Sequence, residues 1–197
     1  MRARRTRDRL CSRCCLRKDI CVCTVLPLVR TQAEFLILRH IREANRPSNT
    51  GRLVALIMPN SRIVPWGGED GAGSSFYENE LKEPGTWILW PDGPGGERVL
   101  KETPKRVAVL DATWHQARRL YTRSEVLRTL PRLVLPAPDR DRERLRKQHR
   151  PDGMSTIEAV AAAVAKLEGA EKAEPLEKLY DEVVRRTFTV RGTRRTP

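Results

Sequence analysis

Three short runs of apolar residues, each bounded by turn-forming residues, dominate the hydrophobic pattern of this chain. They are EFLILRH at 34–40, TWILWPDG at 86–93 and RVAVLD at 106–111. Apolar runs of this length between breakers are typical of strands that are buried on both faces. A shorter run, RLVLP at 132–136, predicts one more strand.

Elsewhere, apolar residues recur at helical spacing. The segment GRLVALIM at 51–58 follows two candidate capping residues, Asn49 and Thr50, and precedes Pro59, which ends a helix. A second helix is predicted from Thr113, because the next apolar positions fall on one helical face. The residues of that face are Ala117, Leu120, Tyr121 and Ser124.

The clearest helical signal is MSTIEAVAAAVAKLEG at 154–169. Ser155 and Glu158 have capping-box spacing, and a continuous apolar stripe follows them. A last helix is predicted for PLEKLYDEVVRRTF at 175–188, and GGEDGAGSS at 67–75 is interpreted as a linker. Strands that alternate with helices predict an α/β fold with a mainly parallel sheet, in which ligands bind at the carboxyl ends of the strands.

The net charge of the chain indicates the class of partner that it binds. Thirty-eight Lys and Arg residues stand against 25 Asp and Glu residues, which gives a formal net charge of +13. Arginine dominates this excess and is concentrated at 2–9, 140–150 and 185–195. Because arginine binds phosphate through a planar pair of donors, a polyanion such as RNA is the expected partner. The alternative is an arginine-rich protein whose charged faces are simply solvated.

The chain of 197 residues is long enough for one domain with a buried core. No run approaches the 18 or more apolar residues that a membrane span needs, and the basic N-terminus has no apolar stretch behind it. We therefore expect a soluble, cytoplasmic protein with no membrane contact. Disulfides rarely persist in that compartment, so the cysteines need another explanation.

All five cysteines lie in the segment CSRCCLRKDICVC at 11–23. Four of them have the spacing C-x2-C-x6-C-x-C, which lets one turn-rich knuckle present four thiolates to a tetrahedral ion. These are Cys11, Cys14, Cys21 and Cys23. Four cysteines close the coordination shell, so a zinc ion here would be structural. An iron–sulfur cluster, a redox pair and unliganded thiols are the alternatives, and Cys15 is the spare thiol.

A second group of chemically active residues is DATWHQARR at 111–119. Asp111 ends an apolar strand and Thr113 begins a helix, so the carboxylate lies where parallel sheets bind substrates. The alternative is that Asp111 only caps the following helix, while Trp114 packs locally.

The DATW element, preceded by the cysteine knuckle and followed by STIEA, resembles the DTW-domain family of tRNA-uridine aminocarboxypropyltransferases. The resemblance covers nearly the whole chain in the expected order. Its segments are the knuckle at 11–23, LRHIREANRPSNTGRL at 38–53, the strand at 86–91, DATWHQARR, LPRLVLP at 130–136 and LRKQHRPDGMSTIEA at 145–159.

This resemblance implies a SPOUT-like α/β domain at 31–190, whose C-terminal part forms a trefoil knot. A basic arm with a zinc knuckle would precede it at 1–30, and a basic tail would follow it at 191–197. It also implies transfer of the 3-amino-3-carboxypropyl group of S-adenosylmethionine to N3 of a uridine in tRNA. Asp111 and Trp114 would lie at the reaction centre. The expected cofactor-binding residues are Leu110, Thr113, Leu135, Met154, Ser155, Thr156 and Glu158.

The implied chemistry fits these residue types. Uridine N3 carries a proton, so a carboxylate such as Asp111 is a reasonable general base. N3 is also the pairing edge of the base, so the uridine must be unpaired or extruded, and Trp114 could stack on it or on adenine. A zinc-bearing RNA-binding module without catalysis and an RNA methyltransferase on the same fold are the competing hypotheses.

Overall fold

A five-stranded parallel sheet forms the centre of the computed structural model, which describes residues 9–67, 74–91, 102–146 and 153–192. Its strands are β1 (Glu34–His40), β2 (Ser61–Trp66), β3 (Thr86–Leu89), β4 (Arg106–Asp111) and β5 (Arg132–Leu133). They lie in the order β2-β1-β4-β3-β5, and every neighbouring pair is parallel. The predicted α/β class with a mainly parallel sheet is confirmed.

Helices cover both faces of this sheet. They are α1 (Gly51–Ile57), α2 (Ser74–Leu81), α3 (Trp114–Arg123), α4 (Glu125–Thr129), α5 (Thr156–Glu168) and α6 (Ala170–Arg191). Short 3-10 turns are formed by Lys18–Ile20 and Ile41–Glu43. In the described part of the chain, no helix combines the length and the apolar character needed to cross a membrane.

Side chains along β1 alternate between two hydrophobic cores, because successive residues of a strand point to opposite faces. Phe35 and Ile37 pack with α1, α5 and α6. Leu36 and Leu38 pack on the other face with α2, α3 and α4. The second core includes Leu81, Leu120 and Leu127. The fold is therefore a three-layer sandwich with the sheet in the middle.

The strand order places a crevice between β1 and β4. The chain leaves β1 through α1 toward β2, whereas it leaves β4 through α3 and α4 toward β5 on the opposite side. Neighbouring parallel strands whose connections diverge in this way open a crevice at their carboxyl ends, where ligands bind. Arg39 of β1 is the register partner of Asp111, the last residue of β4.

Several predicted elements are confirmed at or near their expected bounds, because their signals are local. Strands β1 and β4 match 34–40 and 106–111, and α1 covers 51–57. Helix α5 begins with the expected capping box, in which Ser155 Oγ accepts from the Glu158 backbone N–H and Glu158 Oε2 accepts from the Ser155 N–H.

Strand β2 was not predicted, because Pro65 interrupts its apolar run. Proline lacks the N–H that a central strand needs, but β2 lies at the sheet edge, where one side makes no ladder. The run at 132–136 pairs with its neighbour only at Arg132–Leu133. Of the segment at 86–93, Thr86–Leu89 forms β3, and residues 92–93 lie outside the described residues.

Two helical bounds differ from the prediction. Helix α6 begins at Ala170 and contains Pro175, although the helix was predicted only for residues 175–188. The preceding AEKA residues are good helix formers, and Ala173 is buried in the core, which outweighs one missing hydrogen bond. Helix α2 starts at Ser74, inside the interval interpreted as a linker, whose residues 68–73 lie outside the described residues. Helix α4 was not predicted.

The cysteine segment packs onto this fold. The apolar residues of this segment are buried in the core that β1 forms with α1, α5 and α6. They are Leu16, Ile20 and Val22. Arg186 of α6 donates a hydrogen bond to the Cys21 carbonyl, and its Nε donates to Glu182 Oε1 at 2.6 Å. Helix α6 therefore supports the segment that carries the cysteines.

Candidate active site and metal centre

Asp111 is held rigidly at the carboxyl end of β4, where it is only 3% exposed. Asn49 Nδ2 donates to its Oδ2 at 2.7 Å, and Thr156 Oγ1 donates to its Oδ1 at 2.6 Å. Gly51 packs directly against the carboxylate, since a Cβ at that position would lie 2.5 Å from Asp111 Oδ2. Two parts of the chain that are distant in sequence, residues 49–51 and the start of α5, thus converge on this one side chain.

Asp111 does not cap the helix that follows it. Thr113 is the N-cap of α3, with its Oγ1 accepting from the Gln116 N–H and the Gln116 side chain accepting from the Thr113 N–H. The carboxylate of Asp111 instead faces the loop before α1 and the start of α5. Asp111 is also one of the residues that line a cavity.

A cavity of about 580 Å³ opens at the carboxyl edge of the sheet. It brings together Asp111, Trp114 and the expected cofactor-binding residues, except for Glu158. The residues of that set that line the cavity are Leu110, Thr113, Leu135, Met154, Ser155 and Thr156. Most of the remaining wall is apolar, which is typical of small-molecule sites with a few convergent polar groups.

Glu158 lies behind this wall. Its carboxylate is almost fully buried, accepts from the Ser155 N–H at 2.9 Å and forms an ion pair with Arg144 at 2.9 Å. Tyr180 lines the same end of the cavity, and burial raises the pKa of its hydroxyl. Glu158 therefore fixes the start of α5 and does not border the cavity.

Two tryptophan rings that line the cavity stack on each other, and one of them also stacks on Tyr121. Trp90 and Trp114 have ring centroids 5.2 Å apart, and Trp90 and Tyr121 have centroids 4.1 Å apart, in nearly parallel planes. The guanidinium of Arg132 lies 5.7 Å from the centroid of Tyr121. Trp114 is the exposed end of this stack, with 38% of its surface accessible.

The sequence reasoning missed several polar residues of this site. Asn49 was considered only as a helix cap, yet its amide also binds Asp111. Glu43, Arg46 and Arg146 also line the cavity. Glu43 and Arg46 lie within the segment 38–53 that carries the family resemblance, which was the one signal available for them.

The sulfur atoms of the predicted metal ligands form one cluster. The Sγ atoms of Cys11, Cys14, Cys21 and Cys23 all lie within 4.8 Å of one another. Cys11 and Cys23 Sγ are 3.6 Å apart, and Cys14 and Cys21 Sγ are 3.7 Å apart. Zinc bonds to sulfur of about 2.3 Å in a tetrahedron place the sulfurs about 3.8 Å apart, so the cluster fits a zinc ion. Cys15 is not part of it.

The protonation of these thiols depends on their surroundings. Backbone N–H groups of Cys14 and Arg13 lower the pKa of Cys11 to about 6. Burial raises the pKa of Cys14, and burial together with the neighbouring thiols raises the pKa of Cys23 to about 12. A bound cation would instead lower the pKa values of Cys14 and Cys23, because it stabilises the thiolates that otherwise repel one another.

Curated proteins similar to this chain share one kind of name. The chain is 24% identical over 172 residues to "tRNA-uridine aminocarboxypropyltransferase 2" of Macaca fascicularis, which covers 80% of this chain and 56% of that protein. The Mus musculus protein of the same name is 25% identical with the same coverage. "tRNA-uridine aminocarboxypropyltransferase A" of Arabidopsis thaliana is 28% identical over 145 residues, or 61% of this chain and 53% of that protein.

The chain therefore spans little more than half the length of these relatives. No solved structure matches it significantly. A family profile described as the DTW domain matches residues 8–188, which include the cysteine cluster, the Asp111 site and most of α6. This match confirms the resemblance carried by DATW and STIEA, and the chain belongs to the DTW domain family.

Proposed function

We propose that this protein transfers the 3-amino-3-carboxypropyl group of S-adenosylmethionine to N3 of a uridine in tRNA. The names of the relatives state a tRNA-uridine aminocarboxypropyltransferase activity for those proteins. The observation that carries the proposal here is the buried carboxylate of Asp111, which borders a large cavity at the carboxyl edge of a parallel sheet.

The cavity is the proposed donor site. Its volume of about 580 Å³ lies in the range of small-molecule sites. In the proposal, the loops at Leu110, Leu135 and Met154 hold the adenosyl group, and Thr113, Ser155 and Thr156 complete the pocket. Bound there, S-adenosylmethionine supplies an electrophilic methylene next to its positively charged sulfur.

Asp111 acts as the general base in the proposed reaction. Its carboxylate takes the proton from uridine N3, and the electron pair left on N3 forms the new N–C bond to the methylene. The C–S bond breaks at the same time, and methylthioadenosine leaves with the electron pair of that bond. Asn49 and Thr156 fix the direction of the carboxylate, which supports selection of the methylene over the methyl group through orientation.

The exposed face of Trp114 is the proposed stacking surface for the target uridine. Because N3 lies on the pairing edge, the base must leave its stack to reach Asp111. Trp90 and Tyr121 stack behind Trp114 and hold its ring in one plane. Stacking on a fixed aromatic ring replaces part of the stacking that the base loses when it is extruded.

The cysteine knuckle is proposed to hold a structural zinc ion, with Cys11, Cys14, Cys21 and Cys23 as ligands. The ion would order the segment and hold its arginines near the RNA. The net charge of +13 supports tRNA as the partner, through the attraction of basic side chains to phosphates. A cytoplasmic location follows from the substrate in this proposal.

The domain architecture is also proposed. We infer a basic arm with the knuckle at 1–30, a SPOUT-like catalytic domain with a C-terminal trefoil knot at 31–190, and a basic tail at 191–197. Support comes from the cavity, whose lining includes the loops after β4 and β5 and the segment before α5, in the half of the fold to which the resemblance assigns the knot. A crystal structure with S-adenosylmethionine would test this arrangement.

The activity test uses purified protein, S-adenosylmethionine and tRNA from cells that lack the modification. Nucleoside mass spectrometry should detect aminocarboxypropyl-uridine. A methylated uridine would instead identify a methyltransferase. No product despite donor binding would refute the proposed reaction, and no donor binding would favour an RNA-binding module without catalysis. Asp111→Asn should abolish turnover while preserving donor binding, whereas the matched control Asp141→Asn, at an exposed residue, should be fully active.

A further inference from the structure

A buried carboxylate lies within ion-pair distance of two arginines at the wall of the cavity. Glu43 is 4% exposed, and its Oε1 lies 3.0 Å from Arg46 Nη1 while its Oε2 lies 3.6 Å from Arg146 Nη2. The Nε of Arg146 also donates to Ser48 Oγ at 2.6 Å. We name Arg46 and Arg146 the arginine pair. Each uses part of its guanidinium on these contacts, and each has further donors.

The arginine pair is part of the same cavity as Asp111. Both arginines, Glu43 and Ser48 line it. The Arg46 carbonyl accepts from the Asn49 backbone N–H at 3.0 Å, and the Asn49 side chain donates to Asp111. The arginine pair is thus connected to the proposed general base through a short segment of chain.

The arginines are placed to receive an anion. Their side chains are 45% and 40% exposed, whereas the Glu43 carboxylate that joins them is buried. One carboxylate between two guanidinium groups leaves a net positive charge at this end of the cavity. Guanidinium groups bind a carboxylate through pairs of charged hydrogen bonds, which are the stronger kind.

We propose that the arginine pair binds the α-carboxylate of the donor's amino-acid end, and that Glu43 is the positioning residue that sets the two guanidinium groups. This inference rests on the proposed function and adds the specificity of the donor site. The group that is transferred carries this carboxylate. Holding it beside Asp111 would direct the methylene, rather than the methyl group, toward the uridine.

Calorimetry with the full chain tests the inference, with three probes that share the adenosyl group. These are S-adenosylmethionine, its decarboxylated form and 5′-methylthioadenosine, which lacks the amino-acid end. The wild type should bind S-adenosylmethionine at least about tenfold more tightly than the decarboxylated form. The decarboxylated form has no carboxylate and so cannot make the charged hydrogen bonds to the two arginines. The double variant Arg46→Gln/Arg146→Gln should lose this preference and keep its affinity for methylthioadenosine.

Matched variants separate binding from a general charge effect. Arg123→Gln/Arg128→Gln removes the same charge from exposed positions of α3 and α4 and should keep the wild-type preference. Glu43→Gln should reduce the preference for S-adenosylmethionine over its decarboxylated form and leave the affinity for methylthioadenosine unchanged. A variant that had merely lost its structure would bind all three probes less tightly. Thermal unfolding of every variant checks that each is folded. The double variant should unfold at nearly the wild-type temperature, because the two arginine side chains are nearly half exposed.

Two results would overturn the inference. The first is a double variant that retains the preference for S-adenosylmethionine over its decarboxylated form. The second is a double variant that loses tRNA affinity alone, which would make the arginine pair a phosphate-binding site. The proposed function fails separately: a clear carboxylate preference with no aminocarboxypropyl product from any tRNA would support this inference and refute the reaction.

Discussion

Replacing Gly51 with alanine introduces a steric clash at the proposed active site and, at the same time, a gain in helix propensity. Gly51 is the first residue of α1, where alanine is favoured over glycine by about 0.5–1 kcal/mol. The added Cβ, however, would lie 2.5 Å from Asp111 Oδ2 and 2.8 Å from its Cγ. Cβ atoms essentially never approach other atoms closer than 3.0 Å, so the carboxylate must move by at least about 0.5 Å.

Such a movement weakens the two hydrogen bonds that hold the carboxylate. Asn49 and Thr156 donate at 2.7 and 2.6 Å, and hydrogen bonds to a charged group contribute about 1.5–3 kcal/mol each. A partial loss of both, about 1–3 kcal/mol, exceeds the propensity gain, so Gly51→Ala should lower the free energy of unfolding. The rate of aminocarboxypropyl transfer should fall about tenfold or more, because catalysis is sensitive to small displacements.

A double-mutant cycle in urea unfolding isolates this clash. In an Asp111→Ala background the carboxylate is absent, so the same Gly51→Ala change should become stabilising by about 0.5–1 kcal/mol. The sign reversal is the distinctive result. If Gly51→Ala destabilises both backgrounds equally, or stabilises both, the close packing of Gly51 against Asp111 is not what requires glycine at this position.

Three further predictions concern other parts of the molecule. Metal analysis should find about one zinc ion per chain; Cys21→Ser should remove it and lower the melting temperature, whereas Cys15→Ser should change neither. Trp114→Ala should raise the KM for tRNA by a factor that corresponds to about 1–3 kcal/mol of lost stacking energy, and it should leave donor affinity unchanged. Trp114→Phe should restore most of the tRNA affinity. A KM for tRNA that is equal in the wild type and in Trp114→Ala would exclude the stacking role. Hydrogen bonds from Arg185 and Arg186 lower the pKa of Glu182 to about 2 from an ordinary value of 4.5, so its stabilisation is complete above pH 4.5 and is lost as the pH falls toward 2. Glu182→Gln should therefore cost about 0.5 kcal/mol at pH 6 and nothing near pH 2 in denaturant unfolding, and an equal cost at both values would contradict this assignment.

The sequence predicted the elements whose signals are local. The capping box of Ser155 and Glu158 depends on residues three positions apart, and the strand that ends at Asp111 is one uninterrupted apolar run. The cysteine cluster was predicted for the same reason, because its ligands lie within thirteen residues of sequence. Short separations of this kind leave few conformational choices.

What the sequence could not predict depends on contacts between distant residues. Asn49 and Asp111 are 62 positions apart, and nothing in either local pattern indicates that they meet. The close approach of Gly51 to the carboxylate depends on how the start of α1 lies against the end of β4. Arg146 and Glu43 are likewise far apart in sequence, and only the folded chain brings them together. Strand β2 was missed because the cost of Pro65 depends on whether a strand is central or at the edge, which only the assembled sheet decides.

The hydrogen bond from Arg186 to the Cys21 carbonyl has a consequence for the order in which the chain folds during synthesis. The two residues are 165 positions apart, so the ribosome makes the knuckle long before it makes the helix that supports it. Until α6 emerges, Ile20 and Val22 lack one of the surfaces that form the core around them. All four ligands of the proposed zinc site lie within residues 11–23, so a zinc ion bound early would order the knuckle and reduce its chance of aggregating while the rest is translated.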